Sequence, residues 1–216
     1  MAHPWELTHQ LSQYFDPHLI IPLLEFLTAN GMYSETDLSK AKLELLKGTS
    51  MVDFYIEEHK KTYPDQAVPE EATVKRQSVV EEFRRLQEET KPLLDIFAEP
   101  SVTQQIQSSR DAKALQEYLI KHHDFKAEWV DTCYNYAKCL FEIGNYEDAS
   151  EYLYFHRILC TPSDKNYLNG LWGKLASDIL MQKWDHALED LKRLQQFIDE
   201  STFGSSLQTL QVITAQ

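Results

Sequence analysis

Apolar side chains in this chain recur every three or four residues, and nowhere do they alternate with polar ones over a sustained stretch. A period near 3.6 lines one face of a helix, whereas a strand needs a period of two, so the spacing predicts helix after helix and no sheet. Leu168, Leu171, Trp172, Leu175, Ala176, Ile179 and Leu180 form one stripe, and Ala187, Leu188, Leu191, Leu194 and Ile198 form the next. Earlier stripes run through Val130, Cys133, Tyr134, Ala137, Leu140 and Phe141, then through Ala149, Tyr152, Leu153, His156 and Leu159. Val79, Phe83, Leu86, Leu93 and Phe97, with Thr90 in the gap, give a longer helix one continuous seam for a neighbour.

Local signals place the boundaries. Asp16-Pro17 supplies an N-cap followed by Pro at the first helical position. Ser34-x-x-Asp37 and Ser50-x-x-Asp53 read as capping boxes, and Pro69-Glu70-Glu71 puts negative charge where the helix dipole favours it. Asn30-Gly31, Gly48, Tyr63-Pro64, Pro100, Gly144 and Pro162 read as stops. The resulting map has helices over 5–15, 18–30, 36–47, 51–63, 70–98, 110–122, 126–143, 146–160, 165–182 and 184–199, with a start near 206. Pro22 and Pro92 fall inside two of these and should kink or break them.

The second half repeats itself. Tyr136-Ala137 leads through Gly144-Asn145-Tyr146-Glu147-Asp148 to Ala149, and Leu175-Ala176 leads through Gln182-Lys183-Trp184-Asp185-His186 to Ala187. Each copy sets a small residue mid-helix, a tight turn, then an aromatic three residues before an Ala. Two antiparallel helices approach closely only where a small side chain faces the partner. This is a tetratricopeptide-like pattern, well matched in the first copy and degenerate in the second, which lacks the Gly. The fold class is therefore all-α: a right-handed solenoid of stacked hairpins related to HEAT and tetratricopeptide arrays. It is divided into an N-terminal helical segment, 1–100, and a continuous repeat segment, 101–216.

Chemistry is sparse. The formal net charge of −13 argues against broad nucleic-acid binding, which needs a surplus of cations to displace counterions. Cys133, Cys139 and Cys160 are odd in number and lack framework spacing, as expected of reduced intracellular thiols. The N-terminus does not read as a signal peptide, and no stretch has the length and apolarity of a membrane span. His122-His123 is a helix-end pair whose rings diverge. His156 and Cys160 lie one turn apart but lack the two further ligands a closed zinc site needs, so they read as core. Glu57-Glu58, Glu70-Glu71, Glu81-Glu82 and Glu88-Glu89 read as solvated helix faces. Lys75-Arg76 and Arg84-Arg85, each flanked by Glu, read as salt-bridged surface. Gly170 and Gly173 lie within a helical stripe and read as close-packing positions rather than a phosphate cradle. No catalytic, cofactor or metal residue is assigned and no cofactor is expected; the partner-binding residues are not readable from the sequence.

Four strings carry a resemblance. His18-Leu19-Ile20-Ile21-Pro22-Leu23-Leu24-Glu25-Phe26-Leu27, Met51-Val52-Asp53-Phe54, Gly144-Asn145-Tyr146 through Glu151-Tyr152-Leu153-Tyr154-Phe155, and Leu171 to Met181 followed by Trp184 and Ala187-Leu188-Glu189-Asp190-Leu191 stand in the order and spacing of one family. From about residue 5 to residue 211 the chain resembles the e subunits of eukaryotic translation initiation factor 3, which are PCI-type scaffold subunits. The resemblance implies an N-terminal arm of helical repeats, then a winged-helix PCI module and C-terminal helices, without catalysis. It further implies a cytoplasmic complex whose other subunits include a, c, d and l. That complex helps recruit mRNA and initiator methionyl-tRNA to the small (40S) ribosomal subunit. The PCI module is expected to be absent from this sequence, leaving apolar surface on the last stack. A homologous PCI subunit of the proteasome lid or signalosome is the alternative, and an all-helical enzyme with a site in the Tyr-rich second half a distant one.

Overall fold

The computed structural model describes residues 14–31, 33–108 and 111–200. These form ten α-helices and no strand among the described residues. They are α1 (Pro17–Ala29), α2 (Glu35–Lys47), α3 (Val52–Thr62), α4 (Glu70–Phe97), α5 (Pro100–Ser108), α6 (Ala112–His123), α7 (Glu128–Glu142), α8 (Tyr146–Leu159), α9 (Tyr167–Leu180) and α10 (Trp184–Glu200). The helix expected over 5–15 lies almost wholly outside the described residues, and the start near 206 lies outside them altogether.

Most of the boundary chemistry is realised. The Asp16 side chain accepts from the His18 N–H at 2.8 Å, and the Ser34 hydroxyl accepts from the Asp37 N–H at 3.1 Å. Ser50 does not cap: α3 begins after Met51, whose N–H donates to the Thr49 hydroxyl instead, so the second capping box is corrected. Pro100 both follows the end of α4 and opens α5, a helix absent from the sequence map. The Glu99 carbonyl accepts from the Val102 and Thr103 N–H groups, each at 3.0 Å, and Pro at the first position has no N–H to orphan. Pro22 and Pro92 do not break their helices. Both are exposed, so neither ring is forced into the packed side of its helix.

Packing follows chain order with three returns. The hairpins α1–α2, α2–α3, α7–α8, α8–α9 and α9–α10 are neighbours, while α4 lies along α7 and α6 along α8. One core joins Leu93 and Phe97 of α4, Val102 of α5, Leu115 and Leu119 of α6, Cys133 of α7 and Leu159 of α8, all buried. A second joins Leu86 of α4 to Tyr136, Leu140 and Ala149, so the expected seam of α4 is real. Its Thr90 gap is filled quietly: the buried hydroxyl donates to the Leu86 carbonyl at 2.7 Å.

The other return is α1, which meets α9 and the α7–α8 turn. His18, buried, holds it there through Nδ1 to the Tyr146 hydroxyl at 2.8 Å, with Phe141 against its ring at 4.8 Å. Burial lowers the His18 pKa despite the nearby carboxylates of Asp16 and Glu142.

The internal repeat is visible in the backbone. The Asn145 N–H donates to the Leu140 carbonyl and the Lys183 N–H to the Asp178 carbonyl, both at 2.9 Å, the same six-residue closure at both turns. Gly144 (φ 89°) and Gln182 (φ 57°) occupy the equivalent left-handed position. Glycine adopts it freely, whereas Gln182 bears a strain of roughly 1–2 kcal/mol, which is where the second copy departs. Ala149 and Ala187 sit at the two crossings, 0% and 5% exposed. Ala149→Trp and Ala187→Trp should each destabilise the fold by about 1–3 kcal/mol through overpacking. Thermal denaturation followed by circular dichroism checks this; an unchanged midpoint in both variants would dissolve the repeat.

Candidate functional site

The residues singled out in the sequence do not assemble into a reactive centre. His122 and His123 end α6 beside Tyr118, whose ring lies 4.8 and 5.8 Å from theirs, and His123 Nδ1 is 3.4 Å from Glu99. Arg85 pairs with Glu82 at 2.6 Å and Glu89 at 2.7 Å along the exposed face of α4. Lys75 donates to the Lys47 carbonyl at 2.9 Å and Arg76 to Asp53. One carboxylate departs from the expectation of solvated faces: Glu58 is buried, 3.8 Å from Lys42. Among the described residues no three His, Cys, Asp or Glu side chains converge on a metal position.

His156 and Cys160 come closest to a catalytic pair, with Nε2 and Sγ 3.0 Å apart. Their protonation states run the wrong way for catalysis. Burial lowers the imidazole to about 4, and burial pushes the thiol up to about 12, with Asp164 adding to it. A reactive cysteine needs a thiolate stabilised by an imidazolium or a helix N-terminus, and a path to solvent. Here both groups are neutral and closed in, His156 at 1% exposure and Cys160 at 4%. Cys133 is the same case: burial pushes its thiol up to about 12, and it donates to the Tyr152 carbonyl at 3.5 Å.

Gly170 explains why His156 is so enclosed. A Cβ at Gly170 would sit 2.8 Å from His156 Nδ1, so α8 and α9 cross in direct contact with the imidazole ring. Gly173 repeats the device one turn on, where a Cβ would lie 3.1 Å from Leu153. The close-packing reading of both glycines therefore holds.

Beneath that crossing lies a buried ionic network that sequence reasoning missed. Lys174 donates to Asp178 and to Asp190, both at 2.7 Å; Ser150 donates to Asp178 at 2.7 Å; Arg157 donates to Asp190 at 2.8 Å. Burial alone would raise the Asp178 pKa, but hydrogen bonds from Lys174 and Ser150 outweigh it and hold the carboxyl below its ordinary range. The network ties α8, α9 and α10 to one register. It also corrects the stripe read for α10. Ala187, Asp190 and Leu194 face inward, and Leu188 and Leu191 are turned out, 52% and 48% exposed. The cations of α8 and α9 draw Asp190 in, and the pattern rotates with it. The clue was present: Lys174 and Asp178 fall one turn apart among Leu171 and Leu175, where a solvated pair has no place.

What remains is surface. Two crevices of about 200 and 220 Å³ flank Val52 where α3 meets α4. The first is lined mainly by Met51, Phe54, Val79, Phe83 and Ile143, and neither holds a histidine or a cysteine. No helix among the described residues is long and apolar enough to cross a membrane.

Residues 6–139 match the model of the eIF3 subunit 6 N terminal domain. The chain belongs to this family. The E subunit of eukaryotic translation initiation factor 3 from Bombyx mori is 42% identical over 211 residues, 97% of this chain and 47% of the relative. The E subunits from Drosophila ananassae and Drosophila virilis are each 39% identical over 207 residues, 96% of this chain and 47% of theirs. The chain thus spans about half the length of the curated relatives it matches. All four strings behind the sequence-level resemblance lie within the described helices and their turns, and the family they pointed to is the one found.

Proposed function

We propose that this chain is the helical-repeat arm of a translation initiation factor 3 subunit, and that it works as a non-catalytic scaffold. The observation that carries the reading is the similarity to E subunits of this factor along 97% of the chain. The chemistry of the interior supports it. The histidine and thiols closest to a reactive geometry are neutral, buried and locked into helix crossings, while the exposed surface is the part free to meet other chains. In this reading the arm belongs to a PCI-type scaffold protein, acts in the cytoplasm, and holds neighbouring subunits such as a, c, d and l. The assembled complex then helps bring mRNA and initiator methionyl-tRNA to the 40S subunit.

Affinity purification tests this. A tagged chain, extended through the second half that its relatives carry, should bring down other factor 3 subunits and small-subunit ribosomal proteins from a cell extract. Recovery of proteasome-lid or signalosome subunits in their place would overturn the assignment.

A further inference from the structure

Helix α1 is apolar on two faces, and only one of them is covered among the described residues. Ile20, Ile21, Leu24 and Leu27 pack inward. On the other side Phe15, Leu23 and Phe26 are 53%, 37% and 60% exposed, with Leu19 and Pro22 completing the ridge. The ridge is dry: Thr28 donates to the Leu24 carbonyl and Asn30 to the Phe26 carbonyl, so the polar side chains nearby are turned onto their own helix. Its charges are of one sign. No Lys or Arg precedes Lys40, whereas Asp16 and Glu25 stand beside the ridge. The cation nearest Glu25 is Lys42 at 3.7 Å; it is only 17% exposed, lies 3.8 Å from Glu58 and sits over the Phe54 ring. The exposed apolar stripe of α10 differs, because Asp185 and Glu189 share it with Lys192 and Arg193 and leave it without a sign.

We propose that the outer ridge of α1 is a docking surface for an amphipathic helix of another protein, its apolar face flanked by Lys or Arg. From Leu19 to Phe26 the ridge rises about 10 Å, two helical turns, which matches anchors at i, i+3 or i+4, and i+7. Apolar contact supplies the attraction, since the ridge offers no hydrogen-bonding side chain. The acidic border selects the partner's flanking charge and repels acidic helices. The inference rests on the scaffold reading and names the chemistry of one of its contacts.

The test uses the full chain and two synthetic amphipathic helices of about five turns, identical except that one carries Lys and the other Glu beside a leucine stripe. Fluorescence anisotropy at physiological salt should show binding of the Lys peptide and none of the Glu peptide. Leu23→Gln/Phe26→Gln, at exposed positions that leave circular dichroism and the melting midpoint unchanged, should weaken it at least about tenfold. Equal binding to the double variant would mean diffuse attraction to an acidic surface and would overturn the proposal, as would equal binding of both peptides or of neither. A concentration-dependent dimer that the double variant abolishes would overturn it too, assigning the ridge to a second copy. If the Lys peptide fails while the tagged chain still recovers factor 3 subunits, the ridge is lost and the scaffold reading stands.

Discussion

Lys174→Met should cost about 3–5 kcal/mol, a large share of the stability of a domain this size, because it strips a buried cation from two buried carboxylates. Arg157 still reaches Asp190 at 2.8 Å, so the uncompensated charge falls on Asp178, which has no exposed surface and keeps only the Ser150 hydroxyl. Urea unfolding at neutral pH measures the loss. A paired variant, Lys174→Met/Asp178→Leu, should recover most of it, since removing both partners of a buried ion pair leaves no charge stranded. A Lys174→Met loss below about 0.5 kcal/mol would place the side chain in water and refute the network. The wild type should also be acid-sensitive here. The folded carboxyl of Asp178 titrates below its unfolded counterpart, so its contribution is complete above the unfolded pKa and disappears as the pH falls through the folded one.

His156 titrates with the same direction of effect in a higher window. Its folded pKa is about 4 against 6.5 for a free imidazole. Between those values the unfolded chain binds a proton that the folded chain refuses, so stability is complete above pH 6.5 and falls as the pH drops towards 4. A shift of this size amounts to about 3 kcal/mol. His156→Phe keeps a flat ring against Gly170 and removes an Nδ1 that has no hydrogen-bond partner among the described residues. The variant should lose that portion of the pH dependence. Subtracting its stability profile from that of the wild type isolates the imidazole from the carboxylates that titrate nearby. Identical slopes between pH 6.5 and 4 would mean that water reaches the ring.

Much of this architecture is legible in the residue order, for reasons that differ by element. The seam of α4 and the crossings at Ala149 and Ala187 follow from spacing alone, because a period of three and four has one helical reading and small residues have one use at a close crossing. Helix α5 was missed because Pro100 carries both meanings that proline has at a helix boundary, and a nine-residue segment has too few apolar positions to decide between them. The α10 stripe is rotated from its apolar pattern because the charges that set it lie on other helices. Asp190 faces inward only because Lys174 and Arg157, 16 and 33 residues earlier, wait there for it. That is a tertiary fact, and no local pattern encodes it. The spacing of His156 and Cys160 already reads as core, and the burial of both side chains bears that out.

The clasp between His18 and Tyr146 joins residues 128 positions apart. During synthesis α1 leaves the exit tunnel long before the turn that receives it has been made. At about 5–20 residues per second, the wait for that turn is roughly 6–26 s. The first hairpin covers Ile20, Leu24 and Leu27 as soon as α2 is made, but throughout the wait the side of α1 that meets α9 and the α7–α8 turn is bare. A nascent-chain chaperone therefore has a long window on this protein at that side of α1.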